Sequence, residues 1–502
     1  MMFASERAFG KARRIMEKLI SFVEKASRDE ERIDRVEREL FSELLQLGGE
    51  LLKAFIEESG DGDEGRTIEC GGEILQRFRK KRERPYRSIF GVLKVRRWVY
   101  GSREGQKSYA PLDARLGLPA GEQSYVLEDW MQRFCVQNAF SHAVSSLADL
   151  LGISSSVRTA ERINREMGES VADYRVSQPQ ADPASEAEIL VATADGKGVP
   201  IRRTLEEQVG KVAPAWRRFQ ERRQQKKAQE RAKKRLGRGQ VRTRKQMAYV
   251  GAVYSISPWI RSVDDILDEM SRAQKKIERP QPQNKRVWAE MTRYEDDERL
   301  EGQPQLFAGL AWEVSQRDPR ADKPLVVLMD GQRSLWNAKD HWLSRAVGIL
   351  DIFHAAEWLW KSAYCFHKEG SRAAEQFVTH YLRMFLEGKV GYAMGVLRRK
   401  QRQLQGSKKK TLESAIRYFL NNREYMRYDE YLRAGYPIGS GVVEGACRYL
   451  VRDRMERTGM RWDVTGAQAM LDLRSIYVNQ QWDDFIEYRI KTEQARLYAQ
   501  AA

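Results

Sequence analysis

Residues 188–198 read EILVATADGKG and residues 324–334 read PLVVLMDGQRS. Each is an apolar run that stops on Asp-Gly, at Asp195 and at Asp330. Such a run, bounded by turn residues, predicts a buried strand with a carboxylate at its C-terminal tip. Neighbouring strands run about 4.8 Å apart, so two tips can share one divalent cation. A third stretch, PIGSGVVEGACRYLVRDRM at 437–455, sets Glu444 at the start of a basic helix. A third carboxylate from a helix would complete an oxygen cage for a hard ion such as Mg²⁺. That constellation suits metal-assisted cleavage and joining of phosphodiester bonds. Taken singly, each run is also a common strand-to-turn ending, because Asp and Gly both favour turns.

The 502 residues suffice for two to four domains with a sizeable core. No apolar run approaches the ~20 residues that span a bilayer. The N-terminus, MMFASERAFGKARRIMEK, lacks the continuous apolar region of a secretion signal. Cys70, Cys135, Cys365 and Cys447 show no framework spacing, which implies a reducing interior and a cytoplasmic protein. Net charge is +17, and residues 211–245 hold fifteen Lys/Arg against two Glu, a local +13. A positive charge so concentrated is a footprint for a polyanion. The segment WRRFQERRQQKKAQERAKKRL has no broad apolar face to insert into a membrane, which favours nucleic acid. Arg222, Arg223, Lys226, Lys227, Lys233, Lys234 and Arg235 are its candidate DNA contacts. A highly charged, merely solvated helix is the plainer alternative.

In residues 1–65 the apolar positions Ile33, Val36, Leu40, Leu44, Leu47, Leu51 and Phe55 recur at steps of three and four. They mark one stripe of a long amphipathic helix, expected to pack within the chain or to form a coiled-coil seam. GDGDEGRT, starting at Gly60, is not a phosphate-binding loop: Arg66 stands where Lys is required and no apolar strand precedes it. Residues 66–175 hold an alternating, Gly-turned stretch at 86–110, expected to be a β-hairpin. FSHAVSSLADLLGISSSVRTAERINREMG follows at 140–168, a helix, a turn at Gly152 and a second helix. This is the outline of a helix-turn-helix DNA-binding motif, with Arg158, Arg162 and Arg165 on its second helix. VSQPQADPASEA at 176–187 reads as a linker. From 188 to 480 strands alternate with helices, the pattern of an α/β core. Further strands are expected at 247–257, 325–329 and 345–350 and a helix at 305–316. The basic insertion spans 203–246 and a helical insertion spans 357–431. Residues 481–502 form a C-terminal helix.

In this arrangement Asp195 and Asp330 would bridge two metal ions, Mg²⁺ or Mn²⁺, and Glu444 would hold the second. One ion lowers the pKa of the attacking water or hydroxyl, and the other stabilises the leaving oxygen. Gly196 and Gly331 would let backbone and substrate approach closely. Arg448 and Arg452 follow Glu444 at i+4 and i+8, on the carboxylate's face, as candidate phosphate contacts. Arg454, Arg457 and Arg461 point to other faces. Ser440 and Gly441 read as an N-capped lead-in and Gly459 as a stop. Asp351 also ends an apolar strand, three residues before His354, and competes for the second metal position. His341, His354, His367 and His380 are spaced by thirteen, about 220° of helix each time, so they share no face. Cys365 and His367 lack a second ligand pair for zinc. A covalent Tyr nucleophile stays open among twenty tyrosines.

VATADGKGVPI (191–201), VVLMDGQRSLW (326–336), ILDIFHAAEWLW (349–360) and IGSGVVEGACRYLVRDRMERTGMRW (438–462) closely resemble motifs of the ISKra family of bacterial insertion-sequence transposases. More distantly, the layout is similar to Mutator-like transposases. The resemblance runs over most of 85–480. It implies an RNase H-like catalytic core with a DDE triad, at Asp195, Asp330 and Glu444, and a helical insertion before the Glu. Asp351 and His354 match the family's D-x-x-H and are possible accessory residues. The expected function is a DNA transposase: water cuts at an element end, and the exposed 3′-OH attacks target DNA. Double-stranded DNA, as element ends and target, and further copies of the chain are the implied partners. A catalytically idle DNA-binding regulator derived from a transposase, or a stand-alone RNase H-like nuclease, are the alternatives.

Overall fold

Every element below belongs to a computed structural model that describes residues 2–102, 108–179, 182–202, 243–270, 279–295, 298–457 and 460–499. The chain divides into two units, Met1–Val176 with Gln480–Ala502, and Ser177–Asn479. It is mixed α/β, with a largely helical N-terminal region. No helix among the described residues is long and apolar enough to cross a membrane.

The first unit opens with an antiparallel pair, α1 (Met2–Arg28) and α2 (Ile33–Glu58), closed around Ala12, Leu19 and Leu47. The apolar stripe of α2 packs within the chain only in part, with Leu40 set against the Leu47 core. Leu47 is buried, but Ile33, Leu44, Leu51 and Phe55 are exposed. The helix also buries Ala54 and Ile56, which lie outside the regular stripe, and Ile56 packs in a cluster with Val95. Two hairpins follow. Strands β1 (Thr67–Cys70) and β2 (Glu73–Arg77) turn at Gly71-Gly72, both at positive φ, a turn signal the sequence carried. The hairpin expected at 86–110 forms earlier, between β3 (Arg82–Ser88) and β4 (Gly91–Arg97). Two short strands, β5 (Tyr100–Gly101) and β6 (Ser108–Tyr109), extend the β1–β2 sheet instead.

Helices α3 (Pro111–Arg115) and α4 (Tyr125–Gln137) lead to α5 (Phe140–Leu151) and α6 (Val157–Glu169). Gly152 ends α5 at φ 66°, and the Ser156 hydroxyl caps α6 by accepting from Thr159 N–H. The helix, turn and helix of the sequence reading are therefore present. After α7 (Val171–Ser177) the chain passes to the second unit. Its last helix, Trp482–Tyr498, belongs to the first unit, where Trp482 donates to Asp129 (2.6 Å) and Arg489 pairs with Glu128 (2.9 Å).

The second unit is built on a five-stranded sheet, ordered β13-β12-β7-β8-β9. Strands β7 (Ile189–Arg202), β8 (Thr243–Ile256) and β9 (Gln283–Met291) are antiparallel. Two small strands, β10 (Arg293–Glu295) and β11 (Glu298–Leu300), and helix α9 (Gly302–Arg317) follow α8 (Val263–Met270) and β9. Strands β12 (Leu325–Met329) and β13 (Val347–Leu350) then run parallel to β7, with α10 (Arg333–Trp342) between them. A parallel pair needs such a crossover, and both β12 and the start of β7 are buried throughout, as strands covered on two faces must be.

The β7–β8 pair runs longer than the sequence reading, with β8 starting at Thr243 rather than 247. β7 does not stop at Asp195; it continues to Arg202, because β8 pairs with it residue for residue as far as Thr243. The helical stretch begins at Ile352, five residues earlier than expected. It comprises α11 (Ile352–Ala363), α12 (Arg372–Leu386), α13 (Val390–Gln401), α14 (Gly406–Asn421) and α15 (Tyr428–Arg433). Its apolar faces share one continuous core with the sheet. The buried hydroxyls of Tyr428 and Tyr431 donate to the β13 carbonyls of Leu350 (2.9 Å) and Gly348 (3.1 Å). Next come α16 (Gly441–Ala446), a π-helical stretch over Cys447–Arg452, α17 (Asp453–Met455) and α18 (Val464–Val478).

Candidate functional site

Register brings the strand-end carboxylates together. Leu328 pairs with Thr193 across β12 and β7, so two more steps set Asp330 opposite Asp195. Met329 pairs with Leu350 across β12 and β13, so one more step sets Asp351 beside Asp330. Three aspartates thus line the C-terminal edge of three parallel strands, the edge where open α/β sheets bind ligands. Asp195 reaches this edge although it is mid-strand, because β12 stops short of it while β8 does not.

Each carboxylate is held differently. Asp195 Oδ1 accepts from Gly196 N–H (2.6 Å), and Oδ2 accepts from the Cys447 thiol (3.3 Å). Asp330 Oδ1 accepts from Gln332 N–H (2.9 Å), while its carbonyl accepts from the Tyr418 hydroxyl (2.6 Å). Gly331 makes this turn at φ 92°, and a Cβ there would lie 2.9 Å from Leu350 Cδ1 and from the Tyr418 oxygen. Glycine is required by both backbone and space. Around Gly196 a Cβ would meet only the flexible end of Met247, so that position is less constrained. Asp351 is fully buried, at 0% exposure, and caps α11 through Oδ1, which accepts from Phe353 N–H (2.6 Å) and His354 N–H (3.2 Å).

Glu444 comes from α16, which packs on β7 and β8. Its segment is tied at both ends. Ser440 N–H donates to Asp351 Oδ2 ahead of it, and behind it Trp462 N–H donates to Pro200 O (3.2 Å) while Arg202 N–H donates to Trp462 O (2.7 Å). Ser440 does not cap the helix with its hydroxyl, contrary to the sequence reading. His354 Nε2 stands 3.7 Å from Glu444 Oε1, with the two side chains 29% and 44% exposed. Exposure recurs at Glu444, Arg448 and Arg452, in steps of four, so both arginines share the carboxylate's open side. Arg454 is fully buried, stacked over Trp462 at 4.9 Å.

The electrostatics follow from this crowding. Burial pushes the Asp330 carboxyl above its ordinary range, and the Asp195 charge adds to the effect; the Gln332 N–H and His354 oppose it. Burial also raises the Glu444 carboxyl, helped by the charges of Asp351 and Asp195 and opposed by His354. The Cys447 thiol is pushed well up by burial and by Asp195, so it serves as an S–H donor. Among the described residues no Lys or Arg pairs with Asp195, Asp330 or Glu444. Hard oxygen donors that repel one another and lack a cationic partner fit a divalent cation in chemistry. In spacing, no three or more His, Cys, Asp or Glu among the described residues stand close enough to hold an ion.

The remaining candidates lie elsewhere. Arg158 and Arg162 are exposed on α6, and Arg162 pairs with Glu166 (2.6 Å). Arg222, Arg223, Lys226, Lys227, Lys233, Lys234 and Arg235 lie outside the described residues, as does Gly459. Two contributors escaped the sequence reading, Cys447 and Tyr418, and Ser440 contributes through its N–H rather than as a hydroxyl cap. Cys447 was within reach, since it follows Glu444 by three residues and shares its side of a helix. Tyr418 lies 88 residues from Asp330, and no local pattern signals that contact. No protein-family model matches the chain, and no curated protein matches its sequence.

Proposed function

We propose that this chain is a DNA transposase with an RNase H-like core and a DDE triad of Asp195, Asp330 and Glu444. The observation that carries this reading is the strand register: Asp195 and Asp330 become neighbours at one sheet edge, and Glu444 feels the Asp195 charge. The sheet supports it too, with three antiparallel strands followed by two parallel ones on the far side of the first. Mg²⁺ or Mn²⁺, two ions, held by Asp195, Asp330 and Glu444, would activate the attacking oxygen and stabilise the leaving one; to hold them the three carboxylates would have to draw closer than they stand in the metal-free chain. Gly196 N–H and the Cys447 thiol orient Asp195, and Gln332 N–H orients Asp330. His354, when protonated, would favour the ionised, ligating form of Glu444. Water cleaves the phosphodiester at an element end, and the released 3′-OH attacks a target phosphate in line, without a covalent protein intermediate.

Arg448 and Arg452 on the open side of Glu444, Arg158 and Arg162 on α6, and the basic run 211–245 are the proposed DNA contacts. The helix-turn-helix reading rests on the capped α5–α6 pair. The exposed stripe of α2 supports assembly of several copies on DNA. Four cysteines that form no disulfide fit a reducing, cytoplasmic setting. The test is a Mg²⁺-dependent strand-transfer assay with candidate element ends. Joined products that vanish in Asp195→Ala are expected; cleavage without joining would mean a nuclease, and binding without either a regulator.

A further inference from the structure

We infer that Asp351 is a positioning residue that clamps the Glu444 segment to the sheet edge, rather than a metal ligand. The inference rests on the reading of Glu444 as a site carboxylate. Asp351 follows β13 directly, and its own N–H donates to Met329 O on β12 (2.9 Å). Its carboxylate then serves two elements at once. Oδ1 receives the first N–H groups of α11, the helix that carries His354. Oδ2 receives the N–H of Ser440, 89 residues further along the chain. The Ser440 carbonyl in turn accepts from Val443 N–H (2.9 Å) and Glu444 N–H (3.3 Å). The Ser440 backbone therefore links the Asp351 carboxylate, through its N–H, to the backbone of Glu444, through its carbonyl.

A second strap runs alongside the first. Ile352 N–H donates to Ile438 O (2.9 Å), and Gly439 lies so close to the Phe353 ring that a Cβ there would sit 2.7 Å from Cε2. The chemistry of a ligand is missing at Asp351. Three N–H donors occupy a carboxylate that offers about four acceptor sites, and none of the side chain meets solvent. The choice of Asp also follows. As a helix cap alone, Ser or Asn would serve as well. Only a carboxylate presents two acceptor-only oxygens, one for each element.

That distinction supplies the experiment. Asp351→Ser keeps a capping oxygen for α11 but cannot span to Ser440. In the full-length, metal-free chain, hydrogen exchange should show the Ser440 amide losing roughly 10- to 100-fold protection, the range set by one hydrogen bond to a charged group. The Phe353 and His354 amides should keep theirs. Strand transfer should fall by roughly 10- to 100-fold, as for loss of an outer-shell partner, with duplex affinity unchanged. The number of Mn²⁺ ions bound, counted from the EPR signal of unbound Mn²⁺, should not change. If Asp351→Ser does not fold, Gly439→Ala pries the same strap from the Phe353 side and should give the same exchange and turnover losses.

Wild-type protection at Ser440 in Asp351→Ser would overturn the clamp, as would lost protection with full turnover. A lower Mn²⁺ count with protection intact would make Asp351 a ligand. Absence of strand transfer in the wild-type chain would sink the transposase reading instead, and the exchange measurement would still decide the clamp.

Discussion

The ends of β12 and β13 carry the same message in sequence and come to opposite uses. Both are buried apolar strands, both end on Asp, and the two aspartates are neighbours in register. Asp330 stays partly exposed, with its carboxyl raised by burial and by Asp195. Asp351 is sealed in and its oxygens are taken by backbone N–H groups. The residue that follows makes the difference. After Asp330, Gly331 turns the backbone away at φ 92°, and no helix starts until Arg333. After Asp351, Ile352 begins a helix at once, so the carboxylate is drawn in as its cap. Of these two acidic strand ends, the one that no helix draws in as its cap is the one left open for chemistry.

The sharpest way to break this contrast is to truncate each aspartate. Asp330→Ala should lower strand transfer by roughly 10²–10³-fold or more, the range for removing one charge-stabilising group from an active site, with DNA affinity retained. Cleavage assays and filter binding on one preparation decide it; full activity would remove Asp330 from the site. Asp351→Ala should do its damage to stability. It strips a helix cap and leaves a buried Ser440 N–H unpaired, together about 2–4 kcal/mol in urea denaturation. Equal stability losses in the two variants would erase the distinction.

Next in size is Gly331→Ala, which forces a side chain into a positive-φ turn against Leu350 and Tyr418. A loss of about 1–3 kcal/mol is expected, and an unchanged unfolding midpoint would show that the turn can rearrange. A smaller effect concerns pH. Folding raises the Asp330 carboxyl above its ordinary 3.8, so the folded chain binds that proton more tightly than the unfolded one. The resulting stability is fully present below the unfolded value and is lost as pH rises through the folded one. In EDTA, Asp330→Asn should therefore be more stable than wild type at neutral pH, and the gap should close as pH approaches about 4. A gap that widens on acidification would reverse the assigned sign.

The smallest effect serves as a control away from both strand ends. Leu44→Glu with Leu51→Glu, on the exposed side of α2, should change monomer stability by no more than about 0.5 kcal/mol per site. Sedimentation should show the loss of any higher oligomer. An assembly that survives both charges does not use this stripe.

Local pattern made β12, β13 and the helical run after Asp351 legible, because continuous apolar runs and helical spacing are properties of neighbouring residues. The end of β7 was not legible, since its length is set by β8, a partner some fifty residues away. The stripe on α2 was read as a face, but whether a face is covered depends on what the rest of the chain brings to it. Asp195, Asp330 and Glu444 stood out singly. Their grouping is a matter of register, and the difference between Asp330 and Asp351 is one of hydrogen-bond partners; neither has a one-dimensional trace.

The far end of the β7–β8 ribbon has a practical corollary. Arg202 and Thr243 are paired partners, so the chain leaves the sheet and returns to it at a single rung. Closing a longer loop between two such anchors adds only about 0.6 kcal/mol per doubling of length. The sheet's stability thus depends little on how many residues separate the two anchors, which makes the rung between Arg202 and Thr243 a natural port for grafting a foreign domain.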